Sequence, residues 1–159
     1  VEKKEKVIFY IRSSNGNDVT MDTQEKKLRE EYGEPDCIIK DKASGLNENR
    51  KGIKKLLTII ASNPADSSEK IKVCVTNRDR LSRFGVGYVE IFAPFHNTEI
   101  VILDSDDTKE PHEIILRDFM GLLASFSGKF YRLRGWKQQK QLIEKVSLEV
   151  ENHERKKNK

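Results

Sequence analysis

The sequence is poor in the residues that build disulfide frameworks and metal sites. It has two cysteines, Cys37 and Cys74, which lie in separate apolar stretches without a Cys-x-x-Cys spacing, and three histidines that are far apart. Two such cysteines do not make a disulfide framework, and the histidines lack zinc-ligand spacing. We therefore expect free, buried thiols, no bound metal and a cytoplasmic location.

Long apolar runs are also absent. A membrane-spanning helix needs about 20 consecutive apolar residues, and no stretch of this chain approaches that length. The opening segment VEKKEK is charged and leads directly into a strand-like run, so we expect neither a membrane span nor a secretory signal. The chain begins with valine rather than methionine, from which we expect that an upstream part has been removed.

Charge is the abundant feature. Of the 159 residues, 30 are Lys or Arg and 26 are Asp or Glu, which gives a net charge of +4. This length suits one ordinary domain with an appendage and excludes a multidomain enzyme.

Hydrophobic patterning predicts strands that alternate with helices as far as residue 103. The predicted strands cover residues 7–12, 37–40, 71–76 and 99–103, and the predicted helices cover residues 20–32, 50–62 and 86–95. Residues 41–49 are polar and contain Gly45, so we expect a mobile loop there. The alternation predicts an α/β domain whose mainly parallel sheet, of about four to five strands, is covered by helices on both faces.

A different pattern begins at Pro111. Apolar residues recur every three or four positions as far as about Val150 without a proline or turn cluster, which predicts one long helix. Such a helix would be about 60 Å long and would project beyond its domain, so its apolar stripe needs another chain or element to cover it. We expect a core domain that carries the active site over residues 1–110. An oligomerisation helix over 111–150 and a disordered basic tail over 151–159 should follow it.

Candidate reactive residues collect where predicted strands end. In an extended strand Tyr10, Arg12 and Ser14 point to one face, at the edge where parallel sheets bind their ligands. Residues 77–83 hold three arginines after the third strand, and Arg50 opens a helix. Guanidiniums around one hydroxyl suit attack by serine on a phosphodiester, because they stabilise the negative charge of the transition state. Each feature alone also fits a turn serine, a solvated loop or a surface arginine.

Four motifs in order make the pattern specific. Residues 10–14 (YIRSS), 22–24 (DTQ), 41–53 (DKASG followed by RKGI) and 79–83 (DRLSR) resemble the Y-x-R-x-S, D-x-Q, D-x-x-S-G with R-x-G-[LI], and D-R-L-x-R motifs of the serine recombinase (resolvase/invertase) catalytic domain. DRLSRFG and the segment SFSGKFYRL at 125–133 resemble the insertion-sequence serine transposases. In that subgroup a MerR-like DNA-binding domain precedes the catalytic domain.

The resemblance implies a resolvase-like three-layer domain that cleaves and rejoins double-stranded DNA through a covalent 5′-phosphoserine intermediate. Ser14 is the implied nucleophile, and Asp79 acts near the leaving group or orients the arginines. The implied phosphate-binding residues are Arg12, Arg50, Arg80 and Arg83, with Tyr10 and Gln24 in support. No cofactor is implied, because the phosphoserine bond conserves the energy of the cut backbone. Some resolvases have a catalytic lysine where this chain has Ile59. The role of that lysine is therefore absent here or falls to Lys54 or Lys55.

The resemblance also implies a homodimer that forms a tetramer for strand exchange, acting at the nucleoid. The residues expected at the oligomer interface are Phe119, Leu123, Phe126 and Phe130. Five cations without an intervening acidic residue follow, and we expect them to lie along DNA phosphates: Lys129, Arg132, Arg134, Lys137 and Lys140. A solvated basic face is the alternative interpretation of this second set.

Two other classes of function stay open from the sequence. One is a catalytically silent DNA-binding or oligomerisation module of the same fold. The other is a receiver-like or nucleotide-binding α/β domain, in which acidic residues at strand ends matter. A covalent protein–DNA adduct distinguishes the enzyme from both, whereas phosphorylation of an aspartate favours the receiver-like domain.

Overall fold

The computed structural model describes residues 4–14 and 18–126, together with 141, 144–146 and 148. The chain divides into two compact units, Val1–Glu110 and Pro111–Lys159. None of the helices in these described ranges is long and apolar enough to cross a membrane.

The first unit alternates strands and helices, as the patterning predicts. Its strands are β1 (Lys4–Ser13), β2 (Cys37–Lys42), β3 (Glu69–Val75) and β4 (Thr98–Ile102). Its helices are α1 (Asp18–Tyr32), α2 (Lys51–Ala61), α3 (Arg78–Leu81) and α4 (Val86–Phe92), with 3₁₀ turns at Ala93–His96 and Asp106–Thr108.

The four strands form one parallel sheet in the order β2-β1-β3-β4. Alternation along β1 separates two cores. Ile8 and Tyr10 pack on one face with α2, and Phe9 and Ile11 pack on the other with α1 residues such as Leu28. The predicted three-layer α/β fold with a parallel sheet is therefore confirmed.

The structure corrects three local boundaries. Asp41 belongs to β2 rather than to the loop that follows, because β1 pairs with β2 as far as Ser13 and Lys42. The segment expected as a charged loop after β3 contains the single-turn helix α3. The helix expected to end at residue 95 ends at Phe92, and a 3₁₀ turn follows it. Pro94 lies in this turn and has no N–H to donate to a helical hydrogen bond.

The second unit contains α5 (His112–Phe126), which agrees with the predicted start of a helix at Pro111. The helix has no proline within it. Beyond it, residues 141, 144–146 and 148 are helical, and the other residues of the predicted long helix lie outside the described residues.

Candidate active site

The candidate site lies at the carboxyl edge of the sheet, between β1 and β3. The chain leaves β1 toward β2 through α1, on one face, and leaves β3 toward β4 through helices on the other face. Such a switch point opens a crevice beyond the strand ends, which is where open α/β sheets bind ligands. Arg12 stands near the end of β1 and Arg80 in α3, directly after β3.

Arg12 is fully buried, and its side chain makes five hydrogen bonds, equal to the number of N–H donors in a guanidinium. The bonds are 2.8–3.1 Å long. The acceptors are the main-chain oxygens of Arg80, Ala43 and Asp79, the Ser14 hydroxyl and the Glu110 carboxylate. One side chain thus ties β1, the loop after β2, α3 and the segment before α5 together.

Arg80 is equally buried. Its Nε and Nη2 donate to the Thr108 carbonyl at 3.0 and 2.8 Å, and its Nη1 donates to the Arg12 carbonyl at 3.1 Å. Burial lowers the pKa of Arg80, and the charge of Glu110 acts in the opposite direction. Both arginines were expected to face a phosphate, yet their donors are largely occupied by main-chain oxygens.

Glu110 is the anion at the centre of the site. Its Oε2 lies 2.8 Å from Nη2 of both Arg12 and Arg83, and its Oε1 lies 3.4 Å from Nη1 of Arg80. Burial by itself raises the pKa of this carboxyl, but hydrogen bonds from Arg12 and Ser14 and the charges of Arg12 and Arg80 outweigh it and lower the pKa to about 2. Glu110 is therefore ionised at neutral pH.

The candidate nucleophile Ser14 lies at the edge of this cluster. Its Oγ accepts a hydrogen bond of 2.8 Å from Arg12 Nη1, and its hydroxyl is hydrogen-bonded to Glu110. Asp79 pairs with Arg83, with its Oδ2 3.4 Å from Arg83 Nη1. The Asp79 and Arg83 side chains are 28% and 10% exposed, and Ser14 is partly exposed as well, so these three residues form the part of the cluster that a ligand can reach.

Arg50 belongs to a second network. It donates from Nη1 to the Tyr10 hydroxyl at 2.6 Å and to the Leu81 carbonyl at 3.0 Å. Tyr10 in turn donates to Asp41 Oδ2 at 2.7 Å. Burial raises the pKa of Tyr10 well above its ordinary value, although the charge of Arg50 opposes the shift. The Tyr10 hydroxyl is thus a neutral link between Arg50 and Asp41.

Asp41 fixes the start of α2. Its two carboxylate oxygens accept the main-chain N–H groups of Gly52 and Ile53 at 2.7 and 2.8 Å, donors that no residue of the helix itself can satisfy. Arg50, the residue directly before α2, is thereby held next to this fixed helix start. Gln24 supports β1 in a similar way, because its amide nitrogen donates to the Arg12 carbonyl at 2.9 Å.

The loop expected to be mobile is attached to the site. The Ala43 carbonyl accepts from Arg12, and the Gly45 carbonyl accepts from the Arg83 main-chain N–H at 3.2 Å. A side chain at Gly45 would meet the Arg12 guanidinium at 3.1 Å, so the absence of one allows the loop to approach this closely.

Comparison with known proteins agrees with this geometry. A sequence model described as "Resolvase, N terminal domain" matches residues 7–145. The chain belongs to the resolvase family. Three proteins of Acanthamoeba polyphaga mimivirus that carry resolvase names are similar to it, the first being 32% identical over 121 residues, which is 75% of this chain. The chain spans 60–64% of the length of these relatives.

Several solved structures share the fold. A serine recombinase from Sulfolobus solfataricus is 36% identical with a TM-score of 0.72, and the match covers 90% of this chain and 99% of that one. The first open reading frame of a transposon from the same organism is 37% identical with a TM-score of 0.71, covering 89% and 99%. The catalytic domain of an IS607-like serine recombinase is 26% identical with a TM-score of 0.69, covering 91% and 98%. The expected kinship with insertion-sequence serine recombinases is confirmed.

The structure brings most of the predicted site residues into contact, while their chemical roles stay predictions. Arg12, Ser14, Arg80 and Arg83 converge on Glu110, whereas Arg50 binds the Tyr10 hydroxyl and the Leu81 carbonyl. Glu110 itself was missed, because it stands outside the recognised motifs. A Glu directly before a helix-starting proline is the signal that the sequence offers.

The predicted interface and DNA-contacting residues are only partly described. Phe119 and Leu123, on α5, are 44% and 42% exposed. The Phe126 side chain, Phe130 and the five basic residues lie outside the described residues; the basic residues are Lys129, Arg132, Arg134, Lys137 and Lys140.

Proposed function

We propose that this resolvase-family chain cleaves and rejoins DNA with Ser14 as its nucleophile. The observation that carries the proposal is the 2.8 Å hydrogen bond from the Arg12 guanidinium to Ser14 Oγ, inside a cluster that holds two further arginines. A cation beside the hydroxyl stabilises the negative charge that develops on this oxygen and on the phosphoryl group under attack. A serine in an ordinary turn has no such surroundings.

The proposed step balances without a co-reactant. Ser14 Oγ forms a bond to phosphorus and loses its proton, while the bond from phosphorus to the 3′ oxygen breaks and that oxygen gains a proton. One phosphodiester is replaced by another, so the reverse attack by a 3′ hydroxyl rejoins DNA. Arg83 is the partly exposed arginine that first meets the phosphate, and Asp79 beside it orients Arg83 or protonates the leaving oxygen.

DNA and a second copy of the chain are the proposed partners. Cleaving two strands at each of two sites needs four nucleophiles, which favours a dimer in solution and a tetramer during exchange. The basic set from Lys129 to Lys140 supplies the proposed phosphate contacts. Binding through this set loses about 0.9 log units of affinity per contact for each tenfold rise in salt.

The test compares two neighbouring serines. Ser14→Ala should abolish the covalent protein–DNA species on a denaturing gel, with DNA that the unsubstituted chain cleaves, and should leave the circular dichroism spectrum unchanged. Ser13→Ala is the matched control, since it removes the same atom one position earlier. Adduct formation by Ser14→Ala, together with its loss in Ser13→Ala, would show that the nucleophile has been assigned to the wrong serine.

A further inference from the structure

Glu110 makes the contacts that a bound phosphate would make. A phosphodiester in this site would present anionic oxygens to Arg12 and Arg83 and lie next to Ser14. The Glu110 carboxylate already makes these contacts. One of its oxygens lies 2.8 Å from both guanidiniums, the other lies 3.4 Å from Arg80, and the carboxylate is hydrogen-bonded to Ser14. A carboxylate and a phosphodiester both carry one negative charge and both fit the fork of an arginine.

The arginines cannot serve both anions at once. Arg12 has every N–H donor engaged, one of them on Glu110, so a phosphate gains a hydrogen bond from Arg12 only if an existing acceptor leaves. Three of the five acceptors are main-chain oxygens, which are fixed by the loop after β2 and by α3, and a fourth is the hydroxyl of the nucleophile itself. Glu110 is the one charged acceptor among the five, and rotation of its side chain can remove it. Two anions at the same guanidiniums would also repel each other in a buried site.

We propose that Glu110 is a positioning residue that stands in for the DNA phosphate. Its carboxylate keeps the guanidiniums of Arg12, Arg80 and Arg83 aligned while no DNA is bound, and it leaves when the phosphate enters. The inference rests on the proposed function for the identity of the incoming anion.

The position of Glu110 in the chain gives this exchange a control point. Glu110 is the last residue of the first unit, and Pro111, the first residue of the second unit, follows it directly. Glu110 is therefore joined to the second unit by a single peptide bond. Assembly of the chains on DNA can therefore be coupled to release of the carboxylate.

The experiment measures anion binding and not cleavage, so it is independent of the proposed chemistry. Glu110→Gln removes the charge at almost constant shape, and Glu113→Gln, at an exposed position of α5, makes the same change in net charge. Melting temperature is followed against inorganic phosphate, because a ligand that binds the folded state raises it. We expect Glu110→Gln to bind phosphate at least about tenfold more tightly than the unsubstituted chain or Glu113→Gln, since one repelling charge is gone.

The same variants are then measured on DNA. Glu110→Gln should bind a DNA duplex more tightly than Glu113→Gln at equal salt. A folded Glu110→Gln protein whose phosphate response equals that of Glu113→Gln overturns the proposal, as does a loss of DNA affinity. If Glu110→Gln does not fold, Glu110→Asp decides the matter. It keeps the charge but withdraws the carboxylate by one methylene, and a phosphate response equal to that of the unsubstituted chain then overturns the proposal.

Failure of the two proposals can be told apart. If Glu110→Gln binds phosphate more tightly but the protein forms no adduct through Ser14, the stand-in role of Glu110 is supported and the phosphoserine chemistry is rejected. If the unsubstituted chain forms an adduct through Ser14 but Glu110→Gln does not change phosphate binding, the phosphoserine chemistry is retained and the stand-in role of Glu110 is rejected.

Discussion

Arg12 and Arg80 each donate a hydrogen bond to the main-chain carbonyl of the other. Arg12 Nε lies 3.1 Å from the Arg80 oxygen, and Arg80 Nη1 lies 3.1 Å from the Arg12 oxygen. Each side chain therefore fixes the backbone that carries the other, and the two lock the end of β1 to α3. The motif residues that were expected to bind phosphate also hold together the framework around Ser14.

This reciprocity predicts that Arg80→Lys unfolds more easily. Lysine offers a compact charge and cannot reproduce the planar fork that reaches both the Thr108 and Arg12 carbonyls. Because Arg80 is fully buried, we expect a loss of about 3 kcal/mol in the free energy of unfolding, measured by denaturant titration. Arg78→Lys, at an exposed position paired with Glu90, is the control and should change stability by less than about 1 kcal/mol. Equal effects of the two substitutions would contradict the structural role of Arg80.

The fold could be predicted from local patterns, and the site only in part. The alternation of Ile8 and Tyr10 with Phe9 and Ile11 is visible in the sequence and assigns each residue to its core. The partnership of Arg12 with Glu110 spans 98 residues, and no local period encodes a pairing at that distance. The motifs indicate which residue types belong to the site but not how deeply each side chain is buried. They therefore could not show that main-chain oxygens occupy the N–H donors of Arg12 and Arg80.

Gly52 gives a second prediction, because a side chain there collides with Asp41. A Cβ at position 52 would lie 2.6–2.7 Å from the Asp41 carboxylate, which holds the start of α2 and the Tyr10 hydroxyl. Gly52→Ala should lower the free energy of unfolding by about 1–3 kcal/mol. Gly87→Ala is the matched control in α4, where the nearest atom to a Cβ is 3.8 Å away, and it should be neutral or stabilising. A Gly52→Ala protein as stable as the control would mean that Asp41 moves aside freely.

The low pKa of Glu110 gives a pH dependence with a definite sign. Its carboxyl has a pKa of about 2 in the fold, against 4.5 for an ordinary glutamate, so folding favours the ionised form. The stabilisation is complete above pH 4.5 and is lost as the pH falls toward 2, and for this buried group it is about 3 kcal/mol.

The measurement is the difference in unfolding free energy between the unsubstituted chain and Glu110→Gln across this pH range. Other carboxylates titrate in both proteins and cancel in the difference. The difference should be constant above pH 5 and shrink as the medium becomes more acidic. A difference that stays constant down to pH 3 would show that the ionised carboxylate adds nothing to stability.

The apolar face of α5 carries the last prediction, which concerns self-association. Phe119 and Leu123 are four residues apart on one side of the helix, and both are large side chains that remain 44% and 42% exposed. Covering such a pair with a second chain removes apolar surface from water, whereas a lysine at each position would bring a charge into the interface. Phe119→Lys combined with Leu123→Lys should therefore weaken the proposed dimer at least about 100-fold, as measured by sedimentation. Glu113→Lys adds a lysine to the first turn of the same helix and should leave association unchanged. Because β1 to β4 belong to the other unit, the far-ultraviolet spectrum should keep its sheet contribution. A double variant that associates as strongly as the unsubstituted chain would place the proposed contact elsewhere than on this face of α5.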